Sequence, residues 1–496
     1  MMVLTETDWL ALSPALCLLV AGLAAVGADL WRRSHSAFVS CLLSLVGVGV
    51  ACGILLRLLV TGGTYRGFEG TILLDQTAAL LSLGVCVATT LILSIAPVDS
   101  HRRRTNFGEL YGLILLAACG MVLLLCSNDF MLIFLNIEVM SIAMYVLTGI
   151  TRRNPRSNEA ALKYLVTGAF ATGFLLLGVA LLYGATGTFR LEGIGGALAT
   201  GNNSPLLPLG FGLLIVGFGF KIGAVPFHMW VADVYEGAPT TSTAFMAVTV
   251  KAAATGALLR VLIIAGGTRS DLWAPSLWWV ALATMVVGNL LAAHQTSVKR
   301  MLAYSSVAHT GYALVAMASM LGTNGDFSLD GAAAVVFYLF SYTFTTLGAF
   351  LFLVHVGHEV PGKAGAEWQD AETLDDLAGL GFRRPWAAGA MALFLLSLGG
   401  VPPTAGFFGK FFLFQAAVGR GHTLLVVLGV LTSLVSLFYY MRVIVAMYMR
   451  PAVMTDEQPR ASVGAVLALS ALATVLLGVV PGPVVEWATR GIASLH

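Results

Sequence analysis

The sequence predicts an all-α, polytopic membrane protein with about 14 transmembrane helices, and three observations carry that prediction. Of its 496 residues, 58% are apolar and only 10% charged, with a mean hydropathy of +0.88; a soluble domain carries roughly 25% charged residues to meet water. The apolar residues fall in runs of about 20, the length that crosses a bilayer as a helix, and lipid satisfies no backbone group outside a helix or a closed barrel. Lys and Arg gather in the loops on one side of those runs. An ordinary cytosolic enzyme, a disordered chain and a barrel of short alternating strands are excluded. A net charge of +2 without a basic block argues against nucleic acid as a partner and leaves the lipid bilayer as the solvent.

The runs lie near residues 10–30, 37–58, 77–97, 107–126, 130–150, 159–184, 206–230, 240–265, 273–293, 301–322, 331–357, 386–418, 421–448 and 461–482. The first follows Glu6 and Asp8 and precedes Arg32 and Arg33, the reverse of a secretory signal, so it stays in the chain as a helix. Loops after odd-numbered runs hold fifteen basic residues: Arg32, Arg33, Arg102, Arg103, Arg104, Arg152, Arg153, Arg156, Lys299, Arg300, Lys363, Arg383, Arg384, Arg450 and Arg460. The opposite loops hold five: Arg66, Arg190, Arg269, Arg420 and Arg490. A missed or invented helix would scramble that split, so the number of spans is even and both termini lie on the outer side. The loops 61–76 and 358–384 are longer than hairpins need. Within the second, Thr373 to Leu380 sets acids against leucines and predicts a helix along the cytoplasmic surface.

The six cysteines all lie in apolar runs, and none has the Cys-x-x-Cys spacing of a zinc, haem or iron–sulfur site, so no cofactor or metal is expected in this chain. The lysines are more informative. Only six of the 27 basic residues are Lys, yet Lys163, Lys221, Lys251 and Lys410 lie inside apolar runs, where at most Arg57, Arg260 and Arg442 do so among the arginines. A charge near the bilayer centre costs roughly 2.5–3.5 kcal/mol. Lysine, unlike arginine, can release its proton when desolvated, which suits a proton path. Lys163 is near enough to the end of its run to reach the interface by snorkelling, which keeps a structural reading open for it. Glu138, nine residues and roughly 13 Å into the fifth run, must be neutral or paired, and Lys221 is the expected partner. Such a pair either switches with the local field or statically joins two helices.

The seventh run contains Gly217, Gly219, Gly223 and Pro226, and the twelfth contains Gly399, Gly400, Pro402, Pro403, Gly406 and Gly409. Proline removes a backbone donor and clashes with the preceding turn, so both helices are expected to break, beside Lys221 and Lys410. Broken helices at matching places in two halves, each near an ionisable residue, point to an ion path between inverted repeats, although a kink used only for packing is the alternative. The predicted division is 1–106 (spans 1–3), 107–265 and 266–450 (two inverted five-helix repeats, spans 4–8 and 9–13), and 451–496 (span 14). His309 sits mid-span among Ser305, Ser306 and Thr310 and is a candidate proton relay, whereas His228 ends the broken seventh helix and is a candidate cap or gate.

Glu138 to Tyr145, Glu159 to Tyr164, Lys221 to Trp230, Thr240 to Lys251, Lys299 to Tyr312 and Gly400 to Lys410 together resemble the antiporter-like membrane subunits of respiratory complex I. The resemblance runs from the third span to the thirteenth. It implies a proton-conducting axis at mid-membrane, with the family's glutamate of helix 5 falling on Glu138 and its lysines of helices 6, 7 and 8 on Lys163, Lys221 and Lys251. At helix 12 some relatives carry Glu; Lys410 fits the subunit N branch. The resemblance implies a proton-translocating subunit of an NADH:quinone oxidoreductase in a bacterial plasma (inner) membrane. It also implies other membrane subunits on both flanks, and NADH, flavin, iron–sulfur clusters and quinone held by partners. A subunit of a multisubunit sodium/proton antiporter and a non-conducting membrane scaffold are the rival readings.

Overall fold

The computed structural model describes residues 5–32, 38–103, 105–362, 365–451 and 461–495, so Arg33, Arg104, Lys363 and Arg460 of the loop count lie outside the described residues. Helix occupies each of the fourteen predicted runs. The chain opens with α1 (Glu6–Arg32), α2 (Phe38–Thr61) and α3 (Gln76–Arg102), continues through α4 (Gly108–Cys126), α5 (Phe130–Thr148) and α6 (Pro155–Thr186), and adds a short surface helix, α7 (Leu191–Ala199). The seventh span is two pieces, α8 (Leu206–Ile222) and α9 (Met229–Gly237). The eighth is α10 (Thr240–Phe245) and α11 (Lys251–Ile264), joined by a π-helical turn over Met246–Val250. Then follow α12 (Ala274–Ala293), α13 (Val298–Ala318), α14 (Asp330–His355), the single turn α15 (Leu380–Arg383), the broken twelfth span α16 (Pro385–Gly399) and α17 (Ala405–Gly419), α18 (Thr423–Met449), α19 (Ala461–Val479) and an amphipathic α20 (Gly482–Ala493).

Eleven described helices are long and apolar enough to cross a membrane. The three remaining runs are the two broken ones and α13, which carries Lys299, Arg300, Ser305, Ser306, His309 and Thr310. Such a helix survives in a bilayer because it meets protein on almost every side: α13 packs against α9, α12, α14, α17 and α18, and its polar groups find partners there. With α3, α11 and α14 it forms a buried centre. The outer helices α1, α2, α6, α12, α18 and α19 turn side chains such as Val20, Phe170, Trp279, Leu434 and Leu472 outward, where lipid is the solvent.

Helix starts are set by local chemistry. Asp75 caps α3 by accepting the Ala78 N–H at 2.8 Å, Asp129 caps α5 through Met131 N–H, and Asn154 followed by Pro155 starts α6. The long loops hold two antiparallel hairpins, β1 (Tyr65–Gly67) with β2 (Ile72–Leu74) and β3 (His358–Gly362) with β4 (Gly365–Gln369). The helix expected over Thr373–Leu380 is instead a run of turns ending in α15. Asp376 accepts the backbone N–H groups of Glu372 and Thr373, and Gly379 adopts φ 68°, so local side-chain bonds displace the helical ladder while Leu377 and Leu380 still bury.

Candidate functional site: a buried lysine axis

The two breaks are built alike. α8 ends with Gly223 in the left-handed region (φ 72°), its N–H reaching Phe220 O while Ala224 N–H reaches Gly219 O at 2.7 Å. α16 ends with Gly400 (φ 85°), with Gly400 N–H to Ser397 O and Val401 N–H to Leu396 O. Both are Schellman closures, which require glycine at the left-handed residue. Further caps complete them: Trp230 Nε1 donates to Phe220 O, and Ser397 Oγ accepts Gly406 N–H. Pro226, Pro402 and Pro403 lie just beyond the half-helix ends, as expected, and all three are exposed on the isolated chain.

Each break places a lysine at the carbonyl end of the first half-helix, where the helix dipole favours a cation. Lys221 lies in the last turn of α8. Lys410 comes from the second piece, α17, and reaches back to donate to Gly399 O at 3.3 Å and Ser433 Oγ at 2.7 Å, its ammonium 4.8 Å from the Tyr312 ring centroid. Lys251 is the first residue after the π-helical turn, a distortion frequent at functional sites; its ammonium donates to Ser306 O at 2.6 Å and to Ser306 Oγ. All three lysines are buried.

The expected Glu138–Lys221 ion pair is not present. Lys221 donates to Ser141 Oγ at 2.8 Å and to the Tyr145 hydroxyl at 3.5 Å, groups about one and two turns beyond Glu138 on α5. Glu138 is half-buried, and its Oε1 has no hydrogen-bond partner. Two hydroxyls at the right height on α5 win the ammonium, and the carboxylate acts on it at longer range. Lys163 is 44% exposed and bridges Glu159 at 2.8 Å and Asp233 at 2.9 Å. It therefore lies in a peripheral ionic cluster that continues through Asp233, Arg300 and Glu236, away from the buried lysines. His228 precedes α9 without making a capping bond, and its Nδ1 is buried without a partner.

His309 is buried and central. Its Nδ1 lies 2.6 Å from the Tyr338 hydroxyl and its Nε2 3.3 Å from that of Tyr440. A cavity of about 10 Å³, near the room one water needs, is lined by Lys251, Thr255, His309, Thr310, Tyr338 and Tyr342. Thr310 links this region to the first break through its single O–H, which lies 2.9 Å from Ile222 O and 3.2 Å from Ser306 O, the carbonyl that holds Lys251, and is shared between them. Polar contacts thus run from Lys221 past Lys251 and His309 towards Lys410. Ser141, Tyr338, Tyr440 and Ser433 carry no signal in the sequence, and Ser306 is marked there only as a neighbour of His309 and not as the partner of Lys251, because hydroxyls on distant helices are silent until packing brings them beside a lysine or histidine.

An all-helical bundle with two broken helices, and buried lysines at the breaks, defines an antiporter-type ion-translocating membrane protein. Residues 127–436 match the family described as NADH:quinone oxidoreductase/Mrp antiporter, transmembrane. The chain is 42% identical over 486 residues to NADH-quinone oxidoreductase subunit N of Trichlorobacter lovleyi, covering 97% of this chain and 96% of the relative, and 40% identical to subunit N of Myxococcus xanthus, covering 98% and 97%. A chain of respiratory complex I from Thermus thermophilus superposes with a TM-score of 0.80 at 31% identity, over 96% of this chain and 100% of that one. A chain of the Mrp complex from Dietzia sp. shares the fold, with a TM-score of 0.84 at 21% identity over 99% and 98%. The chain belongs to the NADH-quinone oxidoreductase subunit N family, the proton-translocating membrane subunits of complex I.

Proposed function

We propose that Lys221, Lys251, His309 and Lys410 carry protons through the middle of the membrane, with Glu138 modulating Lys221 from a distance and Lys163 acting from the periphery. The observation that carries this reading is that Lys221, Lys251 and Lys410 pair with no carboxylate among the described residues, whereas buried Lys299, near the end of α13, pairs with Glu372: hydroxyls and carbonyls hold the three. A buried lysine locked to an acid is fixed in charge, and removing either partner is severely destabilising. A lysine held by neutral groups is free to lose and regain its proton. Moving one charge against 100 mV costs about 2.3 kcal/mol, comparable to the roughly 2.5–3.5 kcal/mol that burying a charge costs, so a modest change of field at one lysine is enough to drive the next.

Redox chemistry in this reading belongs to partner subunits, which hold NADH, flavin, iron–sulfur clusters and quinone, and other membrane subunits of complex I flank this chain on both sides. The chain lies in a bacterial plasma membrane with both termini outside. Residues 107–265 and 266–450 are two inverted five-helix repeats, each contributing one break, with Pro226 and His228 at the first and Pro402 and Pro403 at the second; 1–106 and 451–496 flank them. The test is NADH-driven proton uptake in membrane vesicles carrying Lys251→Met, with the assembled complex quantified in the same vesicles. Uptake per NADH is expected to fall; an unchanged ratio overturns the reading. Sodium flux without NADH or quinone would support the antiporter reading instead.

A further inference from the structure

Tyr338 and Tyr440 approach His309 from opposite edges of its ring, and the hydrogen bonds fix what each does. The Tyr338 hydroxyl has one proton, and it lies 3.2 Å from the backbone carbonyl of His309, to which it donates. Both contacts are hydrogen bonds at once only when it accepts at its 2.6 Å contact with Nδ1, and in that arrangement Nδ1 carries the imidazole proton. Nε2 is left as an acceptor, and the group facing it is the Tyr440 hydroxyl at 3.3 Å. The same Tyr440 oxygen is hydrogen-bonded to Ser305 Oγ. Ser305 lies one helical turn before His309 on α13, nearer Lys299 and Arg300 and hence nearer the side rich in Lys and Arg.

From this geometry we propose that Tyr440 is a proton-passing residue, the link through which His309 exchanges protons with Ser305 and the Lys- and Arg-rich side. The inference rests on the proton-carrying role of His309 proposed above. In the inward direction a hydronium ion gives its proton to Ser305 Oγ as the serine's own O–H proton passes to the Tyr440 oxygen. The Tyr440 O–H proton passes to His309 Nε2. Hydronium becomes water, neutral imidazole becomes imidazolium, and both hydroxyls end with the one proton they began with. The imidazolium then gives its Nδ1 proton to the Tyr338 oxygen as the Tyr338 O–H proton passes towards Lys251 in the cavity that Tyr338, His309 and Lys251 line, so protons enter the ring at one nitrogen and leave at the other.

Tyr439, the adjacent residue on α18, supplies the control. Its hydroxyl donates to Asn289 Oδ1 at 3.1 Å, and the Asn289 amide donates to the Tyr312 hydroxyl at 3.0 Å; the Tyr439 ring packs on that of Tyr440 and the Tyr312 ring on that of His309, so Tyr439 shares the packing of the link but makes no hydrogen bond to His309. The experiment measures protons taken up per NADH oxidised, and the initial uptake rate, in vesicles carrying the whole complex with Tyr440→Phe, Tyr439→Phe or Lys251→Met. The ratio is independent of how much complex assembles. Tyr440→Phe is expected to lower uptake about tenfold or more, the scale of losing one proton-transfer group, while Tyr439→Phe keeps the unsubstituted ratio. An unchanged ratio for Tyr440→Phe beside a lowered one for Lys251→Met overturns this proposal alone; unchanged ratios in both overturn the lysine axis with it. Equal losses in Tyr439→Phe and Tyr440→Phe also overturn it, because packing then explains both. Should Tyr440→Phe fail to accumulate, Ser305→Ala cuts the same link from its other end, and an unchanged ratio there is decisive against it.

Discussion

Arg260→Met is expected to destabilise the protein far more than Arg260→Met combined with Asp75→Asn. Arg260 lies on α11 nine residues beyond Lys251, roughly 13 Å along the helix. Its guanidinium meets Asp75 at 2.5 Å with the two side chains only 2% and 0% exposed. Removing the cation alone strands a buried carboxylate, which costs about 3–5 kcal/mol, or two to three and a half factors of ten at about 1.4 kcal/mol each. Asp75 retains one compensation, its capping bond from Ala78 N–H at 2.8 Å, which puts the expected loss towards the lower end of that range. Asn at 75 keeps an oxygen for the cap, since Asn and Asp cap equally well, and removes the stranded charge, so the double substitution should recover most of the loss. The assay is the rate of thermal inactivation of NADH–quinone reductase activity in membranes, with the assembled complex quantified before heating. A double variant that inactivates as fast as Arg260→Met would refute the argument.

Three further outcomes are expected. A Cβ at Gly406 would stand 1.9 Å from Ser397 O, whereas one at Gly389 meets nothing within 4 Å; Gly406→Ala should lower the assembled complex, while Gly389→Ala, in the interior of α16, is tolerated or gains up to about 1 kcal/mol, both read by immunoblot and heat inactivation. Ser141→Ala, which removes the 2.8 Å contact of Lys221, should disturb proton uptake per NADH more than Tyr145→Phe, which removes the 3.5 Å one; the reverse order would show that Tyr145 is the principal partner. Burial raises the Asp370 carboxyl, but the Arg103 guanidinium, with Lys299 behind it, outweighs that and holds it below the usual range. Its stabilising contribution is therefore complete above the ordinary carboxyl value of about 4 and is lost as pH falls through the lower folded value; Asp370→Asn should flatten the acid limb of a stability-versus-pH profile.

The sequence made some features plain because one residue type sufficed to reveal them. Apolar runs marked all fourteen spans, and Pro226 and Pro402 with nearby glycines marked both breaks. Lysines in apolar runs marked Lys221, Lys251 and Lys410, all three of which are buried. Features that depend on two distant segments meeting were not legible. Glu138 and Lys221 were matched by charge, yet Ser141 and Tyr145 stand closer to the ammonium. Lys163 lies inside an apolar run but close enough to its end to reach the interface, and only the fold shows that Asp233, seventy residues on, holds it there. The π-helical turn before Lys251 left no trace in Met246–Val250, which reads as ordinary apolar helix.

That turn gains meaning from how the eighth span is held. At its first end Thr240 donates to Asp370 at 2.5 Å and Thr241 to Asp99 at 2.7 Å, and Arg103 bridges both carboxylates, so α10 is tied to α3 and to the loop after β4. At the other end Arg260 ties α11 to the start of α3 through Asp75. A helix clamped at both ends can neither slide nor turn as a body, and any change in its register must be taken up between the clamps. The π-helical turn is the irregular segment there, and Lys251 is the next residue. Lys251 can therefore change partners by a local rearrangement of one turn while both helix ends stay fixed. The same clamps explain why Lys251 meets Ser306 as one defined neighbour. Cutting one clamp by Thr240→Val combined with Thr241→Val should release that constraint. Proton uptake per NADH is then expected to fall although no residue of the lysine axis has changed, and a ratio equal to that of the unsubstituted protein would show that the clamps do not set the position of Lys251.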